Sequence, residues 1–107
     1  MAVKKQFASF QDMLENAQKP VLIDFYATWC GPCQVMSQVL QQVSVQMIDE
    51  VQIVKIDGDR YSNLASQHGV HAYPTIVLYK GGKIAYRAEG VVPAPQLMQQ
   101  LRQAIQK

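Results

Sequence analysis

Apolar and polar positions along this chain fall into blocks whose period changes from segment to segment, and the blocks predict its elements. Val21-Leu22-Ile23-Asp24-Phe25-Tyr26 is nearly all apolar and rich in strand formers, as expected of a central strand covered on both faces. Met36, Val39, Leu40, Val43 and Met47 follow the i, i+3, i+4, i+7 spacing of a core-facing helical stripe. They predict a helix from about Cys33 to Ile48, with Gln34, Gln38, Gln41, Gln42 and Gln46 on its solvated side. Val51 to Ile56 reads as a second strand, ending at Asp57-Gly58-Asp59. A short helix from about Tyr61 to His68 follows, with Gly69 as its C-cap. Thr75–Tyr79 and Ile84–Glu89 are strands joined by Lys80-Gly81-Gly82-Lys83, whose paired glycines supply the positive φ angles of a tight hairpin. Pro93 and Pro95 lead into a last helix with the stripe Leu97, Met98, Leu101 and Ile105. Before the central strand, Ser9 starts a helix with Asp12 as its capping partner and Phe10, Met13 and Leu14 on one face. Val3–Phe7 is read as a short edge strand.

Strands and helices thus alternate until the hairpin. The alternating part implies a parallel sheet with right-handed crossovers, and the hairpin adds an antiparallel edge. The expected fold is α/β, a mixed sheet of about five strands flanked by four helices, with residues 1–107 forming one domain. A chain of 107 residues can bury a core without staples. A net charge of +2 spread along the chain leaves no basic stripe for nucleic acid. No apolar run approaches the roughly 20 residues a bilayer span needs, so neither nucleic acid nor membrane is an expected partner, and a monomer is expected. The N-terminal segment Met1-Ala2-Val3-Lys4-Lys5-Gln6-Phe7 lacks the apolar region of a secretory signal. A cytoplasmic location is expected, or the plastid stroma where a transit peptide has been removed.

The chemistry concentrates in Trp29-Cys30-Gly31-Pro32-Cys33, which holds both cysteines of the chain and follows the central strand directly. The spacing puts Cys30 at a helix entrance and Cys33 one turn in. The unsatisfied N–H groups and partial positive charge of a helix N-terminus stabilise a thiolate, the reactive form of cysteine. Pro32 suits the first turn, where its missing N–H removes nothing. A lone Cys-x-x-Cys pair near a βαβ pattern points to redox or metal chemistry and away from a structural disulfide framework. Asp24 stands out as a carboxylate inside an apolar strand. Burial would raise its pKa toward neutrality, which suits a group that takes and gives a proton. The alternative for Asp24 is a strand-edge pair with Lys55.

The Trp29–Cys33 motif, the acid in Ile23-Asp24-Phe25 and Pro74 before a strand together resemble thioredoxin, over about Phe7 to Ile105. Lys55-Ile56-Asp57 and Glu89-Gly90-Val91-Val92-Pro93 resemble the y-type thioredoxins of cyanobacteria and plastids. The resemblance implies a protein-disulfide reductase with no bound cofactor, working through a reversible Cys30–Cys33 disulfide. Cys30 would attack and Cys33 resolve. Asp24, tuned by Lys55, would deprotonate Cys33. Pro74 would be cis, with the backbone of Tyr73 presented to substrate, and Trp29, Gly31, Pro32 and Gly90 would line the same groove. Implied partners are a thioredoxin reductase, flavin-dependent with NADPH or ferredoxin-dependent, and disulfide-containing targets such as peroxiredoxins. Gln38 stands where many thioredoxins carry a helix proline, so less kink is expected. Gln34 replaces a basic residue, and Tyr73 and Glu89 are bulkier or more acidic than usual.

Two other readings compete. Cys30, Cys33, His68 and His71 supply four possible zinc ligands. However, 34 residues separate Cys33 from His68, against about 12–15 in a zinc finger, and both histidines are expected on the surface. A scaffold using the fold without its thiols would have no need of the intact motif, Asp24 and Pro74 together. The expected metal set is therefore none.

Overall fold

The computed structural model describes residues 9–107, so the edge strand read at Val3–Phe7 lies outside the described residues. The element order is α1 (Phe10–Asn16), β1 (Val21–Tyr26), α2 (Gly31–Gln46), β2 (Gln52–Asp57), α3 (Ser62–Gln67), β3 (Thr75–Lys80), β4 (Lys83–Glu89) and α4 (Ala94–Gln106). Among the described residues the sheet has four strands in the order β2-β1-β3-β4, where about five were expected over the whole chain. β1 runs parallel to β2, and β3 runs antiparallel to both β1 and β4.

Antiparallel pairing therefore begins one strand earlier than the alternation of elements suggests. The reason lies in the length of α3. Six helical residues span roughly 9 Å, less than half of the about 20 Å of a six-residue strand. The chain leaves β2 at Asp57, level with Tyr26, and re-enters at Thr75, level with Phe25. A segment that returns to the end it left can only run the other way.

Local chemistry sets the element ends. The Asp12 N–H donates to Ser9 Oγ at 3.0 Å and caps α1. α2 starts at Gly31, two residues before the expected start at Cys33, because Cys30 is its N-cap and Pro32 sits in the first turn. It runs without a break through Gln38. The β3–β4 turn uses Gly81 and Gly82 at φ +60° and +82°, the left-handed angles that a two-residue hairpin loop demands at both positions.

Alternation along β1 sends side chains to two cores. Leu22 joins Met36, Leu40, Val43, Leu97 and Leu101, which puts α2 and α4 on one face. Val21, Ile23 and Phe25 pack with Leu14, Ala65 and Val77, which puts α1 and α3 on the other. By that alternation Asp24 belongs to the α2 face, and so does Lys55, which pairs with it across the parallel ladder and lies between Val54 and Ile56 of the other core.

Candidate active site

β1 hands the chain to α2 through Ala27-Thr28-Trp29-Cys30, so the cysteine pair lies at the carboxyl end of the central strand. Cys30 and Cys33 are joined in a disulfide, with Cα atoms 5.2 Å apart. The Cys33 N–H donates to Cys30 Sγ at 3.1 Å, which places the Cys30 sulfur at the amide-rich helix end, where negative charge is favoured. Both cysteines are nearly covered, 4% and 5% exposed, against Ala27, Tyr26 and Tyr73.

Next to the pair, the Tyr73–Pro74 peptide bond is cis, as the resemblance implied. The cis loop is held from two sides. Thr75 Oγ1 donates to the Ala72 carbonyl at 2.6 Å, and the Gly90 N–H donates to the Pro74 carbonyl at 2.9 Å. Gly90 adopts φ +82°, which favours glycine. Gly31 and Pro32 are exposed at the start of α2, and a Cβ at Gly31 would meet nothing within 4 Å. Open space there leaves room for an approaching segment.

Trp29 is 72% exposed, yet it is not loose. Its indole Nε1–H donates to Asp59 Oδ2 at 2.7 Å, and its ring meets Tyr73 edge-on, with centroids 6.1 Å apart. Tyr73 in turn lies over Gly58, where any Cβ would run into the phenol ring. The Asp57-Gly58-Asp59 segment is thus part of the site, although its sequence reads only as the end of a strand.

Asp24 is 1% exposed, and neither carboxyl oxygen has a hydrogen-bond partner. Its strand is interior, paired on both sides, so the strand-edge alternative for Asp24 does not hold. Burial pushes its pKa from 3.8 up to about 6, and the Lys55 charge partly offsets that rise. Lys55 does not bind the carboxyl. Its ammonium donates to Ser37 Oγ on α2 at 2.6 Å. It also lies 5.7 Å from the Tyr26 ring centroid. Ser37 carried a readable signal, because it lies four residues after Cys33 and so shares its helix face. Beside Cys33, a cleft of about 260 Å³ is lined by Tyr26, Thr28, Cys33, Gln34, Ser37 and Lys55.

The histidines do not join the cysteines. His71 is exposed, but His68 corrects the surface expectation. It is half-buried, with Nδ1 2.5 Å from the Tyr79 hydroxyl and its ring edge-on to Phe10 at 5.0 Å between centroids. Among the described residues no group of three or more His, Cys, Asp or Glu side chains is placed to hold a metal. No helix among them is long and apolar enough to cross a membrane.

Comparison with known proteins agrees with this geometry. The thioredoxin family model matches residues 1–103. A thioredoxin-like protein of Synechocystis sp. is 54% identical over 102 residues, covering 95% of this chain and 97% of that protein. Chloroplastic thioredoxin Y of Oryza sativa is 49% identical over 105 residues, 98% of this chain. The match covers 62% of the rice protein's length. Thioredoxin Y2 of Arabidopsis thaliana is 49% identical and is covered to 64%. These relatives agree with the y-type resemblance. Among solved structures, chloroplastic thioredoxin z superposes with a TM-score of 0.81 at 34% identity, covering 100% of this chain and 99% of that one. Thiol–disulfide exchange therefore rests on the Cys30–Cys33 pair, and the chain belongs to the thioredoxin family of protein-disulfide reductases.

Proposed function

We propose that this chain, acting as one domain over residues 1–107, reduces disulfides in target proteins with Cys30 as attacking thiolate and Cys33 as resolving thiol. The target segment lies along Trp29, Gly31, Pro32, Tyr73, Pro74 and Gly90. Cys30 attacks one target sulfur, and the other leaves as a thiolate and takes up a proton. Asp24 then accepts the Cys33 proton through water. The Cys33 thiolate attacks Cys30, and the target leaves fully reduced with the Cys30–Cys33 disulfide closed. Two electrons pass from this chain to the target, and a reductase returns them, either flavin-dependent with NADPH or ferredoxin-dependent.

The observation that carries this reading is the unpartnered Asp24 carboxyl inside the strand that delivers the cysteines. A buried carboxyl without partners destabilises a fold, and a pKa of about 6 suits proton transfer near neutrality. Peroxiredoxins are the targets that the y-type resemblance of the sequence implies. The chloroplastic relatives favour the plastid stroma.

A trap tests the assignment. Cys33→Ser, incubated with an oxidised peroxiredoxin, is expected to accumulate a mixed disulfide at Cys30, identified by mass spectrometry. Cys30→Ser should form none. An adduct-free Cys33→Ser protein counts against both the cysteine order and the peroxiredoxin as target.

A further inference from the structure

The Lys55 ammonium has a choice of two positions. From β2, where its side chain is exposed, it could swing to the buried carboxyl facing it across the ladder or range freely in water. It is tied to α2 instead. It donates to Ser37 Oγ at 2.6 Å, so a hydroxyl on the reactive helix α2 fixes a cation on β2 beside Asp24 and Cys33. The resulting bridge lines the cleft at Cys33. It also lines a neighbouring cleft of about 230 Å³ bounded by Leu40, Gln41, Ser44 and Ile53.

We propose that Ser37 is a positioning residue for the resolving step: its hydroxyl holds the Lys55 ammonium opposite Asp24, close enough to act on the carboxyl through space and too far to pair with it. The proposal rests on the role given above to Asp24.

The surroundings leave Lys55 as the charge that matters. On the face Asp24 occupies, β3 contributes Ile76, α2 contributes Met36 and Leu40, and α4 contributes Leu97, Met98 and Leu101, all uncharged. The other titratable groups on that face are few, and the one further charge, Asp57 two residues beyond Lys55 on β2, is turned to the Asp59 and Arg60 N–H groups, from which its Oδ1 accepts. Cys33 is held in the disulfide. Tyr26 lies two residues along β1, and Tyr86 on β4 bonds Gln100 through its hydroxyl. A cation at Lys55 favours the ionised carboxyl and opposes the effect of burial. A direct ion pair would favour ionisation far more and leave a poor base. A freely solvated Lys55 would leave the carboxyl protonated over more of the neutral range. The Ser37 bond keeps the cation between those limits.

The test reads the carboxyl itself, in the oxidised full chain, by the pH dependence of the Asp24 side-chain carbon resonance. Ser37→Ala places a good helix former in the helix and removes only the hydroxyl. The expected result is an upward move of the Asp24 titration midpoint by about half a pH unit, with the pH profile of target release moving the same way. Ser37→Thr should restore both, and Ser37→Ala should have no further effect once Lys55→Gln has removed the cation. An unchanged midpoint overturns the proposal. So does a downward move, which would mean that the hydroxyl holds Lys55 away from the acid. A midpoint that moves while the release profile stays fixed supports the placement of Lys55 and removes Asp24 from the resolving step. Failure of the two readings is therefore told apart.

Discussion

Two ionisable side chains, one buried and one half-buried, lie on opposite faces of the same sheet, and the fold treats them in opposite ways. Asp24, on the α2 face, has no hydrogen-bond partner on either oxygen. His68, on the α1 and α3 face, has partners for its ring and its backbone. Its Nδ1 meets the Tyr79 hydroxyl, its ring packs edge-on to Phe10 and Tyr79, and its carbonyl accepts from Arg87 at 2.8 Å. Arg87 also reaches the Gly69 carbonyl at 2.5 Å, so the end of α3 is tied to β4. Burial shifts both groups toward the neutral form: Asp24 upward to about 6, and His68 downward, with the Arg87 charge adding to that fall. One site is built for structure, with its polar atoms satisfied. The other is left unsatisfied, and it is the one on the strand that leads into the disulfide.

The contrast is broken most forcefully at Asp24. A carboxyl whose pKa rises from 3.8 to about 6 on folding binds more protons in the folded than in the unfolded chain between those values. Its contribution to stability therefore falls as pH rises through that window, and above it the group is a net burden of about 3 kcal/mol. Asp24→Ala is expected to be more stable than the parent at pH 7 by roughly 2–3 kcal/mol in urea unfolding, less any loss from the small cavity created. The gain should vanish near pH 4. The same variant should release target at least about tenfold more slowly at neutral pH, with the initial attack by Cys30 unchanged in stopped-flow. Unchanged turnover would remove the proton-transfer role.

At His68 the sign reverses. The folded site disfavours the proton, so the stabilisation is complete above the ordinary histidine value of 6.5 and is lost as pH falls below it. His68→Ala removes a half-buried ring and orphans the Tyr79 hydroxyl. It should cost about 2 kcal/mol at pH 7 while leaving disulfide exchange intact. Its unfolding midpoint should also lose part of the parent's fall between pH 6.5 and 5.

The smallest effect is expected at the outer surface. Arg102 pairs with Glu50 at 3.0 Å, where the two side chains are 44% and 40% exposed. Arg102→Ala should leave both the melting temperature and turnover unchanged within error, since exposed pairs contribute little. A clear loss there would show that a surface pair outweighs its exposure, and the ranking by burial would fail.

Much of this could be read before any coordinates. Val21–Tyr26 announced a covered strand, Met36 to Met47 a core-facing helix, and Asp24 an expensive interruption, because burial patterns follow local period. The Cys30–Cys33 spacing and Pro74 supplied the chemistry once the resemblance was added. The direction of β3 was not legible, since it depends on how far α3 carries the chain. Nor was the burial of His68, because its neighbours come from Phe10, Tyr79 and Arg87, distant in sequence. Asp59 and Gly58 looked like a strand end until Trp29 and Tyr73 were seen to lean on them.

Short-range spacing along the chain was enough for the alternation of elements, the two apolar faces of β1 and the identity of the reactive pair. Tertiary structure alone decided that Asp24 would have no partner and that Lys55 would turn to Ser37. It also decided that β3 would enter beside β1 against its direction. Each of those outcomes depends on groups brought together from separate elements, and a chain read in order carries no record of which distances will close.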